Sequence, residues 1–285
     1  ASSDGGATGI GGGSGYTTTG SLTVGEYVTV TAGSSAYAMA VKPRAPDGTI
    51  TLGGERYYKA VTKRPVSVAY IDADGTEKSA ICTEVSADCR NMSNGWYAVT
   101  SDVNLGNLGM TVSGSVNLVL VDGASLVVTG ALLKAGINVP TNAVLTIYGQ
   151  AGGTGALYAT GGGDSAGIGG NNGSSADHYA GSAGKIVINV AVGQGLGTGI
   201  GGGGYGNGGD VTVNGGDVTA TGGSALGMGI GQGGWLANGG SDGVLKIAST
   251  MVARAGTTGP DNELEADAET GIVTIPAPGT FALRY

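Results

Sequence analysis

The sequence predicts an all-β fold: a right-handed parallel β-helix, that is, a solenoid of stacked coils, with a small β-rich connector or cap. Three observations predict it. The tetrapeptide "GIGG" stands at 9–12, 167–170 and 199–202, with a near copy, "GIGQ", at 229–232. The last three begin at Gly167, Gly199 and Gly229, a nearly constant period at which each unit lacks a core of its own and must stack on the next. Each later copy is followed by a glycine-polar loop and a short strand: "GKIVINV" (184–190), "GDVTVNGGDVTATGG" (209–223) and "GVLKIAS" (243–249). In these strands Ile186 and Ile188, Val211 and Val213, and Leu245 and Ile247 alternate with polar residues, which gives one inward face. Finally, glycine is 61 of 285 residues, and 35 of these fall between 151 and 243. Tight corners between flat sheets need positive φ, which glycine adopts without strain, whereas in a helix each glycine costs about 1 kcal/mol relative to alanine.

The elements follow in order. Residues 1–36 read as a partial β-helix segment resembling 221–259, because "GSLTVGEYVTVTAG" (20–33) aligns without a gap on "GVLKIASTMVARAG" (243–256). The segment is either part of a tandem array or a continuation of a neighbouring copy's solenoid. Under the second reading Ile10, Leu22, Val24, Val28, Val30, Leu245 and Ile247 form the self-association surface. Residues 37–95 read as a β-rich connector, with "VSVAYI" and "EKSAICTEV" flanking an Asp74-Gly75 hairpin turn. Residues 96–259 are the glycine-rich β-helix. Its first coils are "GMTVSGSVNLVLVDGASLVVTG" (109–130) and "LTIYGQAGGTGALYATGG" (145–162), with Val116, Leu118 and Leu120 on one face and Leu126 and Val128 on another. A β-sandwich also fits short strands with regular turns; the recurring "GIGG" period favours the solenoid. Trp96 and Tyr97 are expected to close the first coil. Residues 260–285, with "IVTIPAPGTFALRY", read as proline-limited edge strands or a cap.

A net charge of −8, a pI near 4.5 and no basic run argue against a nucleic-acid partner. No apolar run is long enough to span a bilayer, so membrane insertion is not expected. The chain begins at Ala1 with no apolar leader and reads as a mature product. Cys82 and Cys89, close in sequence with no histidine near them, suit a disulfide, the alternative being two buried thiols. A disulfide, few lysines and much Gly, Thr, Ser and Asn predict an extracellular or cell-surface location.

The run of "GWYAVTSDV", "VNLVLVDGASLVVTG", "LTIYGQAGGTGALYATGG", "AGIGG" and "GDVTVNGGDVTATGG" resembles the glycine-rich β-helix modules of large surface proteins of anaerobic bacteria, often labelled carbohydrate-binding. The resemblance covers about residues 95–259, with an echo in 1–33. It implies secretion, surface display and tandem or head-to-tail arrangement, and carries over no catalytic residue.

Candidates for chemistry are few. Asp210 and Asp217 begin successive strands, and Asp164 and Asp177 occupy glycine-rich loops near Lys185. Polysaccharide hydrolysis would need two carboxylates about 5–10 Å apart. His178 is the single histidine and lies in a polar loop. "GGYGNGGD" (203–210) approaches a calcium-binding nonapeptide but has one residue too many and does not recur. No metal, cofactor or catalytic residue is therefore assigned. Tyr16, Tyr179, Tyr205 and Trp235, in or after glycine-rich corners, are candidate glycan contacts, since pyranose rings stack on aromatics. The sequence thus reads as a structural or adhesive surface module, not an enzyme, that associates with other copies of itself. A carbohydrate-binding module and a polysaccharide lyase or hydrolase are the alternatives.

Overall fold

A computed structural model describes residues 20–24, 28–35, 38–43, 45–53, 57–62, 65–173, 181–189, 199–215, 218–221, 230–231, 233, 243–248, 252–256, 262–273 and 280–284. The fold is all-β, and it divides into two compact units, residues 1–65 and 66–285. The division falls after residue 65; the boundaries read from the sequence are at 36, 95 and 259.

The first unit is antiparallel throughout its described strands. They are β1 (Gly20–Thr23), β2 (Val28–Ser35), β3 (Ala38–Val41), β4 (Thr49–Leu52) and β5 (Tyr57–Thr62). β1 pairs with β4, and β2 lies between β3 and β5. Alternation places Val30, Ala32, Ile50, Leu52 and Tyr58 in a small core, with Leu22, Val24 and Val28 packed against it. Residues 1–36 read as a partial β-helix segment in the sequence; the described strands within them, β1 and β2, pair antiparallel. An alternating strand fits either pairing direction, and the partners turn out to be 38–62.

The second unit begins with a hairpin, β6 (Pro65–Ile71) and β7 (Glu77–Glu84), closed at Asp72–Thr76 as the Asp-Gly signal predicts. Then come β8 (Asn91–Val99), β9 (Val103–Asn104), β10 (Met110–Leu120), β11 (Ser125–Leu132), β12 (Ile137–Asn138), β13 (Val144–Tyr148), β14 (Ala156–Gly162) and β15 (Ile168–Gly169). β16 (Lys185–Ile188), β17 (Ile200–Gly201), β18 (Asp210–Val213), β19 (Val218–Thr221) and β20 (Ile230–Gly231) follow. The last are β21 (Val244–Ile247), β22 (Val252–Gly256), β23 (Asn262–Leu264), β24 (Ile272–Val273) and β25 (Thr280–Arg284).

Three parallel ladders run through this unit. β8, β10, β13, β16, β18 and β21 form one; β10, β12, β15, β17 and β20 a second; β9, β11 and β14 a third. The first two belong to one curled 13-stranded sheet. The register stacks like on like: Val116, Leu145, Ile186, Val211 and Leu245 form one buried row, and Leu118, Ile147, Ile188, Val213 and Ile247 the next. Ile137, Ile168, Ile200 and Ile230 form a third row on the short ladder. The inward faces read from the alternation are those found in the core.

The "GIGG" motif supplies the short rungs. Gly169, Gly201 and Gly231 share φ of 135°, 131° and 132°. A Cβ on Gly169 would collide with the carbonyl oxygen of Gly201, and one on Gly201 with that of Gly231. Here glycine is required by the backbone of the next rung as well as by φ. Polar ties hold the corners of neighbouring loops. The Asp102 carboxylate accepts the Ser125 N–H at 2.9 Å and its hydroxyl at 2.7 Å. Asp122 accepts the N–H groups of Gly152 and Thr154 at 2.9 and 3.0 Å, and Gln150 Oε1 accepts the Asp122 N–H at 2.9 Å.

Trp96 and Tyr97 do not act together. Neighbours on a strand face opposite sides, so Tyr97 enters the inner core while Trp96 joins Tyr70 and Tyr148 on the other face, ring centroids 4.7 and 5.2 Å away.

Candidate functional site

Of the four loop aromatics, Tyr205 lies among the described residues; Tyr16, Tyr179 and Trp235 lie outside them. Tyr205 is half-buried at φ 59°, in a turn where Gly204 N–H donates to Asp164 O at 2.6 Å. Asp210 is exposed at the start of β18, beside Lys185 of β16 in the parallel register. Asp177, His178, Asp217 and Ile10 lie outside the described residues. Among the described residues no three His, Cys, Asp or Glu side chains gather to hold a metal ion.

The carboxylates with shifted ionisation serve turns. Asp72 is held below its ordinary value, chiefly by its hydrogen bond with Lys78, whose ammonium is raised in return. The Thr76 hydroxyl lowers Asp74 at 2.6 Å, and the Thr270 hydroxyl lowers Asp267 at 2.6 Å. Each carboxylate caps a tight turn through backbone N–H groups as well, an arrangement that stiffens a loop.

The expected Cys82–Cys89 disulfide is corrected: the sulfurs are not joined. A sheet separates them. Cys82 belongs to the outer cluster with Tyr70, Ala98 and Val119, whereas Cys89 packs against the large inner core. Burial pushes the Cys82 thiol up to about 11. Closeness in sequence carried no information about which face each cysteine takes.

The most informative feature is a duplication at the strand edges. The sequence shows it over 20–33 and 243–256; the structure extends it, at the same constant offset, to 20–62 and 243–285. Leu22 opposes Ile50 as Leu245 opposes Val273. Thr29 opposes Val61 as Val252 opposes Arg284, and Gly33 opposes Tyr57 as Gly256 opposes Thr280. Val24 N–H donates to Gly48 O at 3.0 Å, and Ile247 N–H donates to Gly271 O at 2.9 Å. Gly48 and Gly271 both have positive φ, 88° and 66°. Before each, a short side chain caps the turn: Asp47 accepts the Thr49 N–H, and the Thr270 hydroxyl accepts the Ile272 N–H. Among the described residues the copies fall out of line across the central hairpin and the turn after it: Thr31 opposes Val41 but Arg254 opposes Glu263, and Ala45 N–H donates to Thr49 O but Asp267 N–H to Ile272 O, each a single step. The signals for the extension were present in "DGTITL" (47–52) and "TGIVTI" (270–275), where a glycine precedes an alternating strand.

The two copies differ in what they meet. In the second, the outer edge of β21 takes β18 in parallel, with Val244 N–H on Gly209 O and Ala248 N–H on Val213 O, both 3.0 Å. β25 takes β19, but in antiparallel register. In the first copy β1 forms a two-stranded sheet with β4, and among the described residues no strand lies on its other edge. Burial follows: Leu245 and Ile247 are 4% and 7% exposed, whereas their counterparts Leu22 and Val24 are only partly buried. The chain matches no known protein family, no curated protein and no solved structure.

Proposed function

We propose that the chain is a structural module that associates head-to-tail with copies of itself at a cell surface. In this reading the three ladders are the faces of right-handed parallel β-helix coils, and residues 20–62 present an edge for the end of a neighbour's ladder. The observation that carries it is the contrast between β1 and β21. The two strands share their register and backbone bonds, and among the described residues one is covered by a parallel rung and the other is not. An uncovered strand edge is a template for another chain, and a contact between two different surfaces does not close on itself, so it propagates.

The bonding pattern names the groups involved. Because Val24 N–H points toward β4, alternation turns the N–H groups of Ser21 and Thr23 to the opposite edge. Thr23→Pro deletes one outward donor and spares the bonds to β4. Light scattering and negative-stain electron microscopy of the full chain, taken from micromolar to millimolar concentration, test the reading. Thin filaments should form with the wild type and with Thr23→Val, and be lost in Thr23→Pro. Single particles at every concentration, or filaments indifferent to Thr23→Pro, would refute it.

A further inference from the structure

The end of the ladder that an arriving copy would need is already covered. β21 seals β18, β24 closes β21 in antiparallel fashion, and β25 seals β19. We propose that residues 243–285 are a resident competitor for the docking site: assembly proceeds by exchange, residues 20–62 of one copy displacing residues 243–285 from the ladder end of the next. The inference rests on the head-to-tail reading and adds the occupant, the register and the control.

The match between the copies makes exchange specific. At the constant offset of the duplication, Ser21, Leu22, Thr23 and Val24 replace Val244, Leu245, Lys246 and Ile247. Leu22 then stacks on Val211 and Val24 on Val213, as Leu245 and Ile247 do within one chain. The outward N–H of Thr23 takes the place of the outward N–H of Lys246. The outward N–H groups of Ser21 and Thr23 replace those of Val244 and Lys246 in kind, and leucine replaces leucine in the core row. Affinity therefore does not favour the newcomer strongly; tethering favours the resident. A segment on a short tether competes at an effective concentration of about 1 mM. The free chain is consequently held back from assembling until it approaches that concentration or until the resident copy is loosened.

The same lesion at the same position in the two copies must then act in opposite directions. Thr23→Pro abolishes assembly. Lys246→Pro, which removes the equivalent donor from the resident copy, lowers the concentration at which light scattering rises by about tenfold or more. A reversible lock guards against misfolding of the proline variant. Thr212 and Lys246 are partners across the β18–β21 pair, where Cα spacing of about 4.8 Å suits a disulfide. In a Cys82→Ala/Cys89→Ser background, Thr212→Cys/Lys246→Cys should stay monomeric when oxidised and assemble when reduced. Thr23→Cys/Thr212→Cys should give a ladder of cross-linked oligomers on a non-reducing gel. If the wild type assembles and Thr23→Pro blocks it, but the oxidised lock assembles equally and no Thr23–Thr212 ladder forms, exchange is refuted and head-to-tail association stands. If the wild type stays single at every concentration, both fail.

Discussion

Alanine at Gly201 should be far more costly than alanine at Gly123, although both glycines have positive φ, 131° and 76°. At Gly123 an added Cβ meets nothing within 4 Å, so the cost is the conformational term alone, about 1 kcal/mol. At Gly201 the Cβ would overlap the carbonyl oxygen of Gly231 and lie 2.9 Å from that of Gly208. Carbon and carbonyl oxygen rest about 3.3 Å apart, so the rungs must part by roughly 1 Å. Backbone strain of about 1–3 kcal/mol and overpacking of about 1–3 kcal/mol then add, giving about 2–6 kcal/mol. In urea, with a slope of about 3 kcal/mol/M, this moves the midpoint by about 0.7–2 M, against about 0.3 M for Gly123→Ala. Far-UV circular dichroism reads both. Midpoints within about 0.2 M of each other, which is on the order of the measurement error, would refute the idea that the next rung demands glycine.

Two further outcomes follow from buried polar and thiol groups. Asn214 Nδ2 donates to the Oδ1 of Asn189, which is 5% exposed, at 2.8 Å. Asn214→Ala should cost about 1–3 kcal/mol by orphaning that oxygen, and the double alanine variant should cost less than the sum of the singles in a denaturation cycle. Cys82, raised from 9.0 to about 11, should resist iodoacetamide at pH 8 in the native chain and react after unfolding, as mass spectrometry would show. Because the folded state holds this proton more tightly than the unfolded one, its contribution to stability is complete below pH 9 and declines as pH rises toward 11.

The inward faces of the ladders were legible in the sequence because Ile186, Val211 and Leu245 each stand at alternate positions bounded by glycine, and register follows from burying them. The pairing direction of 20–33 was not legible. "SLTV" has the same alternation whether its partner is parallel or antiparallel, and its partner "TITL" lies beyond the aligned stretch. Nor could sequence assign Cys82 and Cys89 to opposite faces, since that depends on where β7 ends and the chain turns toward β8. The duplication was read over 20–33 and runs on to Thr62 in the structure. Its later strands share polarity pattern and turn glycines but few identities, and it is the backbone bonds that reveal them.

The ladder holds its register while the chain between rungs varies widely in length. Ser115, Val144, Lys185, Asp210 and Val244 stand side by side on successive rungs, yet the path from Val144 to Lys185 is much longer than the path from Lys185 to Asp210. Length is thus absorbed in the connections and never reaches the stack. Insertion of a foreign peptide between rungs should leave its neighbours in place, so the scaffold separates what it displays from what keeps it standing.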